Sequence, residues 1–249
     1  MTWSIKQGDS RTLLKSVPDR SIDLVVMDPP YGHNQTDGDL ASHIKRALGD
    51  KDAPIHSRPI ANDGPEANDL MRGILPDLDR VLKGGGCAVC CCSGGGGPDP
   101  QFARWSLWLD EIFDFKHAVV WDKGPMGLGW HYRRSYEFVL VATKRGGPCR
   151  WHDESGKVEN IIRPGDFGIR KIIPQATDHP TPKPWQLAAR FIGLHSLPGD
   201  TVLDPFAGHG WVGEAAVRLE RHFLGFEIDE AFCAMARRKI ELAASMQGL

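Results

Sequence analysis

The 249-residue chain predicts an α/β fold: a doubly wound, mostly parallel sheet with helices on both faces and an antiparallel edge strand. Three observations carry this reading. The apolar run Ile22-Asp23-Leu24-Val25-Val26-Met27 stops at Asp28-Pro29-Pro30-Tyr31, as a buried parallel strand would, because Pro has no N–H to continue a ladder and restrains the residue before it. Segments with helical apolar spacing alternate with further short runs of this kind. A glycine-rich turn, Gly208-His209-Gly210-Trp211-Val212-Gly213, lies between a short strand candidate and a helix candidate.

Taken in order, Trp3 to Gln7 is a strand ending in Gly8-Asp9-Ser10, and Ser10 to Val17 has a cap and spacing suited to a short helix. After the strand at Ile22 to Met27, residues 32–68 are rich in Gly, Asp, Asn, Pro and His. Their position directly after Tyr31 predicts a flexible loop over the site. Leu70 to Leu82 has apolar residues at 70, 71, 74, 75, 78, 81 and 82, a helical pattern that stops at Lys83-Gly84-Gly85-Gly86. Cys87 to Cys92 is the next strand, Gly94 to Gly97 a mobile connection, and Phe102 to Phe113 an amphipathic helix. His117 to Trp121 and Glu137 to Thr143 read as an antiparallel pair at a sheet edge. No clean period emerges in residues 144–178. A helix opens at Lys183-Pro184-Trp185 and runs to about His195, and Thr201 to Leu203 is a strand. The glycine-rich turn and a helix to Leu219 follow, then a strand at Phe223 to Phe226 and a final helix from Ile228 to Ser245. With no internal repeat or linker, residues 1–249 form a single domain.

The formal net charge of −2 argues against a protein that coats a polyanion by charge alone. That average hides a split: residues 121–190 hold 12 Lys and Arg against 7 Asp and Glu, while the rest hold 18 against 25. A basic region on an acidic body is compatible with docking a polyanion at one face. The amino terminus lacks a signal-peptide profile and no eighteen-residue apolar run exists, so no membrane association and a cytoplasmic location are expected. Four of the six cysteines lie in Cys87-Ala88-Val89-Cys90-Cys91-Cys92. Strand alternation points Cys87 and Cys90 to opposite faces, so they read as core residues and no metal is expected.

Gly208, Gly210 and Gly213 match the GxGxxG spacing, and Glu227 follows one βα unit later. The shared physics is a strand turning tightly into a helix whose free N–H groups face a ligand, with a carboxylate on the next strand accepting from ribose hydroxyls. That suits a nicotinamide dinucleotide and S-adenosylmethionine alike. Asp204, just ahead of the turn, is an odd neighbour for a pyrophosphate but suits a ligand carrying an ammonium and a sulfonium.

Asp204-Pro205-Phe206-Ala207-Gly208-His209-Gly210 resembles the cofactor motif of S-adenosylmethionine-dependent DNA amino-methyltransferases, and Asp28-Pro29-Pro30-Tyr31 resembles their catalytic motif. His179-Pro180-Thr181-Pro182-Lys183-Pro184 is similar to the segment that precedes the cofactor strand in this family. Lys83-Gly84-Gly85-Gly86 and the stretch from Tyr132-Arg133-Arg134 to Ala142-Thr143-Lys144 also resemble family segments. The order, catalytic motif first and cofactor motif last, is that of the circularly permuted β group. His209-Gly210-Trp211 departs from the small Ser or Thr residues usual after the first glycine, and residues 145–178 form only a short target-recognition insertion.

The resemblance implies a Rossmann-like methyltransferase fold. It also implies a cofactor site drawn from Gly8, Asp9, Thr181, Lys183, Asp204, Pro205, Phe206, Ala207, Gly208, Gly210, Gly213, Glu227 and Ile228, with Thr181 and Lys183 packing over the methionine end and Gly8-Asp9 reaching the adenine. Its implied partner is duplex DNA with the target base flipped, and a homodimer stays open. Asp28 and the Pro29 carbonyl would accept from the two N–H bonds of an exocyclic amine while Tyr31 stacks on the base. Asp at the first catalytic position favours adenine N6 over cytosine N4 in this family. The readings held against these are an N4-cytosine enzyme, a nicotinamide-dependent oxidoreductase using the glycine turn, and a DNA-binding module without catalysis.

Overall fold

The computed structural model describes residues 1–32, 60–94, 100–124, 132–169 and 182–246. Most of the loop expected at 32–68, the connection at 95–97 and Thr181 lie outside them. Eight strands, β1 (Trp3–Gln7), β2 (Ile22–Met27), β3 (Leu82–Cys92), β4 (Asp114–Asp122), β5 (Tyr136–Thr143), β6 (Ile161–Ile162), β7 (Thr201–Asp204) and β8 (His222–Glu227), form one sheet in the order β1-β8-β7-β2-β3-β5-β4-β6. All neighbours pair in parallel except those of β5, which runs against both β3 and β4. The fold is the expected doubly wound α/β sheet.

The antiparallel strand is not at the edge. Leu140 and Ala142 of β5 face one core and Val139 and Val141 the other, all buried, so the strand needs partners on both sides and β3 supplies the second. The edge beyond β4 is closed by the two-residue β6, from a segment without sequence periodicity. A second difference concerns Gly84 to Gly86, expected to end a helix, which lie inside β3. A Cβ at Gly85 would sit 2.0 Å from the Pro148 carbonyl oxygen and one at Gly86 2.7 Å from that of Asp23, so the glycines let neighbouring backbone come close.

Helices cover both faces. α1 (Ser10–Leu13), α2 (Ala67–Val81) and α3 (Gln101–Ile112) lie on one side, with Leu70, Ile74, Leu78 and Trp105 in a core shared with Val25, Met27, Cys90 and Cys92. α4 (Trp185–His195), α5 (Trp211–Arg218) and α6 (Glu230–Ser245) lie on the other, with Leu187, Phe191, Ala215 and Ile240 against Leu24, Val26, Cys87 and Cys91. Alternation along β3 thus divides its cysteines between the two cores. Below the site, the buried Asp23 carboxylate accepts from Lys83 Nζ (2.8 Å), the Thr201 N–H (2.9 Å) and Arg150, tying β2, β3 and β7 together. No helix of the described residues is long and apolar enough to cross a membrane.

The chain leaves β2 towards β3 on one side, while β7 and β8 run off on the other. The carboxyl ends of β2 and β7 therefore flank the point where the winding reverses, which is where ligands sit in open α/β sheets.

Candidate active site

β2 is buried along its whole length, so the first residues free to form a site are those after Met27. The turn that follows is fixed from outside: the N–H groups of Tyr31 and Gly32 both donate to Asp63 Oδ1 at 2.8 Å, and Gln101 Nε2 donates to the Tyr31 carbonyl. The Tyr31 ring meets Trp105 edge-on at 6.4 Å between centroids.

Asp28 does not stand alone. Lys183 Nζ donates to its Oδ2 at 2.6 Å, reaches Glu137 Oε2 at 3.2 Å and Tyr31 Oη at 3.2 Å, and lies 5.1 Å from the Tyr31 ring centre. Tyr31 Oη donates to Glu137 Oε2 at 3.2 Å, and Glu137 Oε1 accepts from Lys123 Nζ at 2.9 Å. Asp28 Oδ1 is buried and has no hydrogen-bond partner among the described residues. Burial pushes the Asp28 carboxyl above its ordinary range; Lys183 pulls it back and the Glu137 charge adds to the rise. Burial would raise Glu137 as well, but Lys183 and then Lys123 outweigh it and hold its pKa at about 2. Burial opposes the charge on Lys183, and Asp28 and Glu137 together more than offset that, so its ammonium is held more firmly than usual.

On the other side of the crevice, Asp204 ends β7 fully buried. Its Oδ1 accepts from the Phe206 N–H at 2.9 Å, and Oδ2 has no hydrogen-bond partner among the described residues. Burial raises its pKa well above the ordinary value, with the charges of Asp28 and Glu227 adding to the effect. Glu227, at the end of β8, accepts from the Gly208 N–H (2.7 Å) and the Asp229 N–H (2.9 Å); burial raises its carboxyl too. Gly8 donates its N–H to the Glu227 carbonyl at 2.8 Å, Asp9 caps α1 and pairs with Arg11, and Ser10 Oγ donates to the Pro205 carbonyl. Three strand ends thus converge on one loop.

Between these two halves lies a cavity of about 350 Å³. Of the residues named from the sequence, Asp9, Asp28, Pro29, Pro30, Tyr31, Lys183, Pro205, Phe206, Gly208, Glu227 and Ile228 line it. Gly8, Asp204, Ala207, Gly210 and Gly213 do not; they stand behind the wall. Gly210 caps α5 with φ of 87°, and a Cβ there would sit 2.8 Å from Ala236 Cα. One at Gly213 would meet Ile240 Cδ1 at 2.3 Å and Phe223 at 2.6 Å. These two glycines let α5 pack on α6 and β8 and do not line the cavity. Lys183 is placed against Asp28 and Glu137, away from the glycine loop.

The sequence reading missed Glu137, Lys123, Asp63 and His209, all of which line the cavity. Glu137 had a visible signal: it shares its strand face with Val139 and Val141, a charged residue on an otherwise apolar, buried face. Asp63, in a polar stretch without periodicity, had none.

The arrangement offers a buried carboxylate oxygen without a partner, a rigid carbonyl beside it, an aromatic ring and, across the cavity, a glycine loop organised by an acid. Residues 22–238 match the sequence model of the N6_N4_Mtase family, described as DNA methylase, and the chain belongs to that family. Among curated proteins it is 27% identical over 97% of its length, and 83% of the relative's, to DNA adenine methyltransferase YhdJ of Escherichia coli K12. It is 26% identical to type II methyltransferase M2.DpnII of Streptococcus pneumoniae, covering 94% of this chain and 88% of that one. Among solved structures, TTHA0409 of Thermus thermophilus, a DNA modification methylase complexed with S-adenosyl-L-methionine, aligns with a TM-score of 0.69 at 22% identity, covering 98% of this chain and 96% of that one. The cytosine-N4-specific PvuII DNA methyltransferase aligns with a TM-score of 0.68 at 20% identity, covering 98% and 92%. At these identities the structures share the fold.

Proposed function

We propose that this protein transfers a methyl group from S-adenosylmethionine to the exocyclic N6 amine of an adenine flipped out of duplex DNA. The observation that carries the reading is Asp28 Oδ1, a buried carboxylate oxygen without a hydrogen-bond partner among the described residues, at the carboxyl end of the central strand next to Pro29. An exocyclic amine has two N–H bonds and a lone pair delocalised into its ring. Two fixed acceptors draw on both N–H bonds, favour a pyramidal nitrogen and release the lone pair for in-line displacement, which is orientation plus electrostatics. Tyr31, pinned through its backbone by Asp63 and Gln101, offers a ring on which an extruded base can stack; such stacking contributes roughly 1–3 kcal/mol and offsets part of the cost of extrusion.

The residues present fit the cofactor. Asp204 stands behind the wall with a buried Oδ2 that has no hydrogen-bond partner among the described residues, so its charge would act from there to favour a ligand that brings positive charge, and Glu227 at the cavity wall keeps lone pairs for a ribose hydroxyl beyond the two N–H groups it already accepts. Bound there, S-adenosylmethionine supplies a methyl group on a sulfonium, already an electrophile. Phe206, Gly208 and Ile228 would hold it along the wall, with Asp9 at the far end. The adenine choice draws support from the curated relative named an adenine methyltransferase and from Asp at the first catalytic position.

The test is to incubate the purified protein with unmethylated genomic DNA and labelled S-adenosylmethionine, digest the DNA to nucleosides and identify the labelled one. N6-methyl-2′-deoxyadenosine is expected. N4-methyl-2′-deoxycytidine alone would move the chemistry to the other base, and no label in DNA would sink the proposal.

A further inference from the structure

Asp28, taken as the acceptor in the reading just given, is held in a chain of four charges that runs Asp28, Lys183, Glu137, Lys123. The side chains of Asp28 and Glu137 are each 16% exposed and that of Lys183 5%. Lys183 spans the two acids from the residues just ahead of α4, and Glu137 comes from the head of β5, so three separate parts of the fold meet here. A lone Lys at that point would place a cation where a cationic methyl donor must bind. Glu137 cancels that charge, and Lys123 balances Glu137 in turn.

We infer that Lys183 and Glu137 are positioning residues for methyl transfer: Lys183 occupies Oδ2 of Asp28, leaving Oδ1 as the acceptor that faces the amine, and Glu137 holds Lys183 in that place. The inference rests on the proposed function. It assigns Lys183 to the acceptor and not to the cofactor.

The charges acting on Asp28 have opposite signs, which makes the roles separable. Lys183 favours the carboxylate and Glu137 disfavours it; the Tyr31 hydroxyl, which donates to Glu137, lies beside both. The other titratable groups facing it are Cys90, Cys91 and Cys92 of β3 and Asp204 of β7. Removing the Lys183 charge should move the acidic limb of kcat/KM to higher pH, and removing the Glu137 charge should move it lower.

The experiment measures methyl transfer to unmethylated genomic DNA between about pH 5 and 9 for the unaltered protein, Lys183→Gln, Glu137→Gln and Lys183→Arg, with S-adenosylmethionine affinity by calorimetry. Lys183→Gln should raise the limb by about one pH unit or more and lower kcat at neutral pH at least about tenfold. Glu137→Gln should lower the limb by a fraction of a unit while reducing kcat through a less fixed Lys183. Lys183→Arg should keep the limb where it was. Cofactor affinity should stay within about threefold throughout. Limb shifts of the same sign in the two Gln variants, or none, overturn the inference, as does a loss of cofactor affinity of about tenfold or more in Lys183→Gln. If Lys183→Gln fails to fold, Glu137→Gln and Lys183→Arg still decide it by the direction and the constancy of the limb. Absence of transfer by the unaltered protein would fell the underlying reading instead, a result distinct from all of these.

Discussion

Replacing Asp204 by Asn should make the cofactor-free protein more stable at neutral pH while weakening its response to S-adenosylmethionine. The carboxylate is fully buried, only one oxygen accepts a hydrogen bond, and the charges of Asp28 and Glu227 repel it. An orphaned buried polar group costs about 1–3 kcal/mol and a charged one more; the amide keeps the Phe206 N–H contact and takes back part of the gain through its own unpaired N–H bonds. The net expectation is about 1–2 kcal/mol, or roughly 2–8 °C in Tm for a chain of this size. The sign with pH follows from the raised carboxyl: the folded state holds its proton to higher pH than the unfolded chain does. Unfolding stability therefore falls as pH rises from about 4 towards the folded value, and the variant's advantage is full above that value and vanishes near pH 4. Urea unfolding at pH 4, 6 and 8, with and without saturating S-adenosylmethionine, measures this. An Asn variant less stable than the parent at pH 8, or an advantage that grows towards acid, would refute the reasoning.

Asp28→Ala should abolish methyl transfer and leave cofactor binding within about threefold; retained turnover in a label-transfer assay would contradict the two-acceptor clamp. Tyr31→Phe, which keeps the ring but loses the hydrogen bond to Glu137, should cost far less in kcat/KM than Tyr31→Ala, whose lost stacking is worth roughly 1–3 kcal/mol, about 5- to 150-fold. Gly210→Ala must place a Cβ at positive φ against the backbone of α6 and should lose about 2–4 kcal/mol by denaturant unfolding, although Gly210 does not line the cavity. Asp23→Asn should cost about 2–4 kcal/mol, because it strips the charge that Lys83 and Arg150 both meet; an unchanged Cm would show that the three strands need no such pin.

What could be read from the sequence follows from how local the signal is. β2 announces itself because a fully buried strand must be apolar on both faces and because two prolines mark its end. The glycine turn is legible for the same reason: only glycine takes φ of 87° at Gly210 at no cost, so the backbone geometry is written in one residue type. Which of those glycines faces a ligand was not legible. Gly213 owes its presence to Ile240 and Phe223, which belong to other elements. The contacts around Asp28 were hidden likewise: Glu137 stood out as a charge on an apolar strand face and Lys183 lay in a recognisable motif, but nothing local said that the two meet at Asp28. The antiparallel pairing of β4 and β5 was legible because hairpin neighbours in sequence do pair, but the sequence did not show that β5 also pairs with β3 and that β6 closes the edge beyond β4.

The pairing of β1 with β8 has a consequence for how the molecule is made. Trp3 to Gln7 lies opposite Phe223 to Glu227, and β1 has no other strand beside it. During synthesis β1 therefore leaves the ribosome long before β8 and waits unpaired until that strand has emerged. Contacts of that sequence separation are slow to form because loop closure must precede them. The side of the cavity that β2 carries can assemble with β3 early, while the glycine loop and Glu227 on the other side emerge much later. A chain cut before β7 would carry one wall of the cavity without the other.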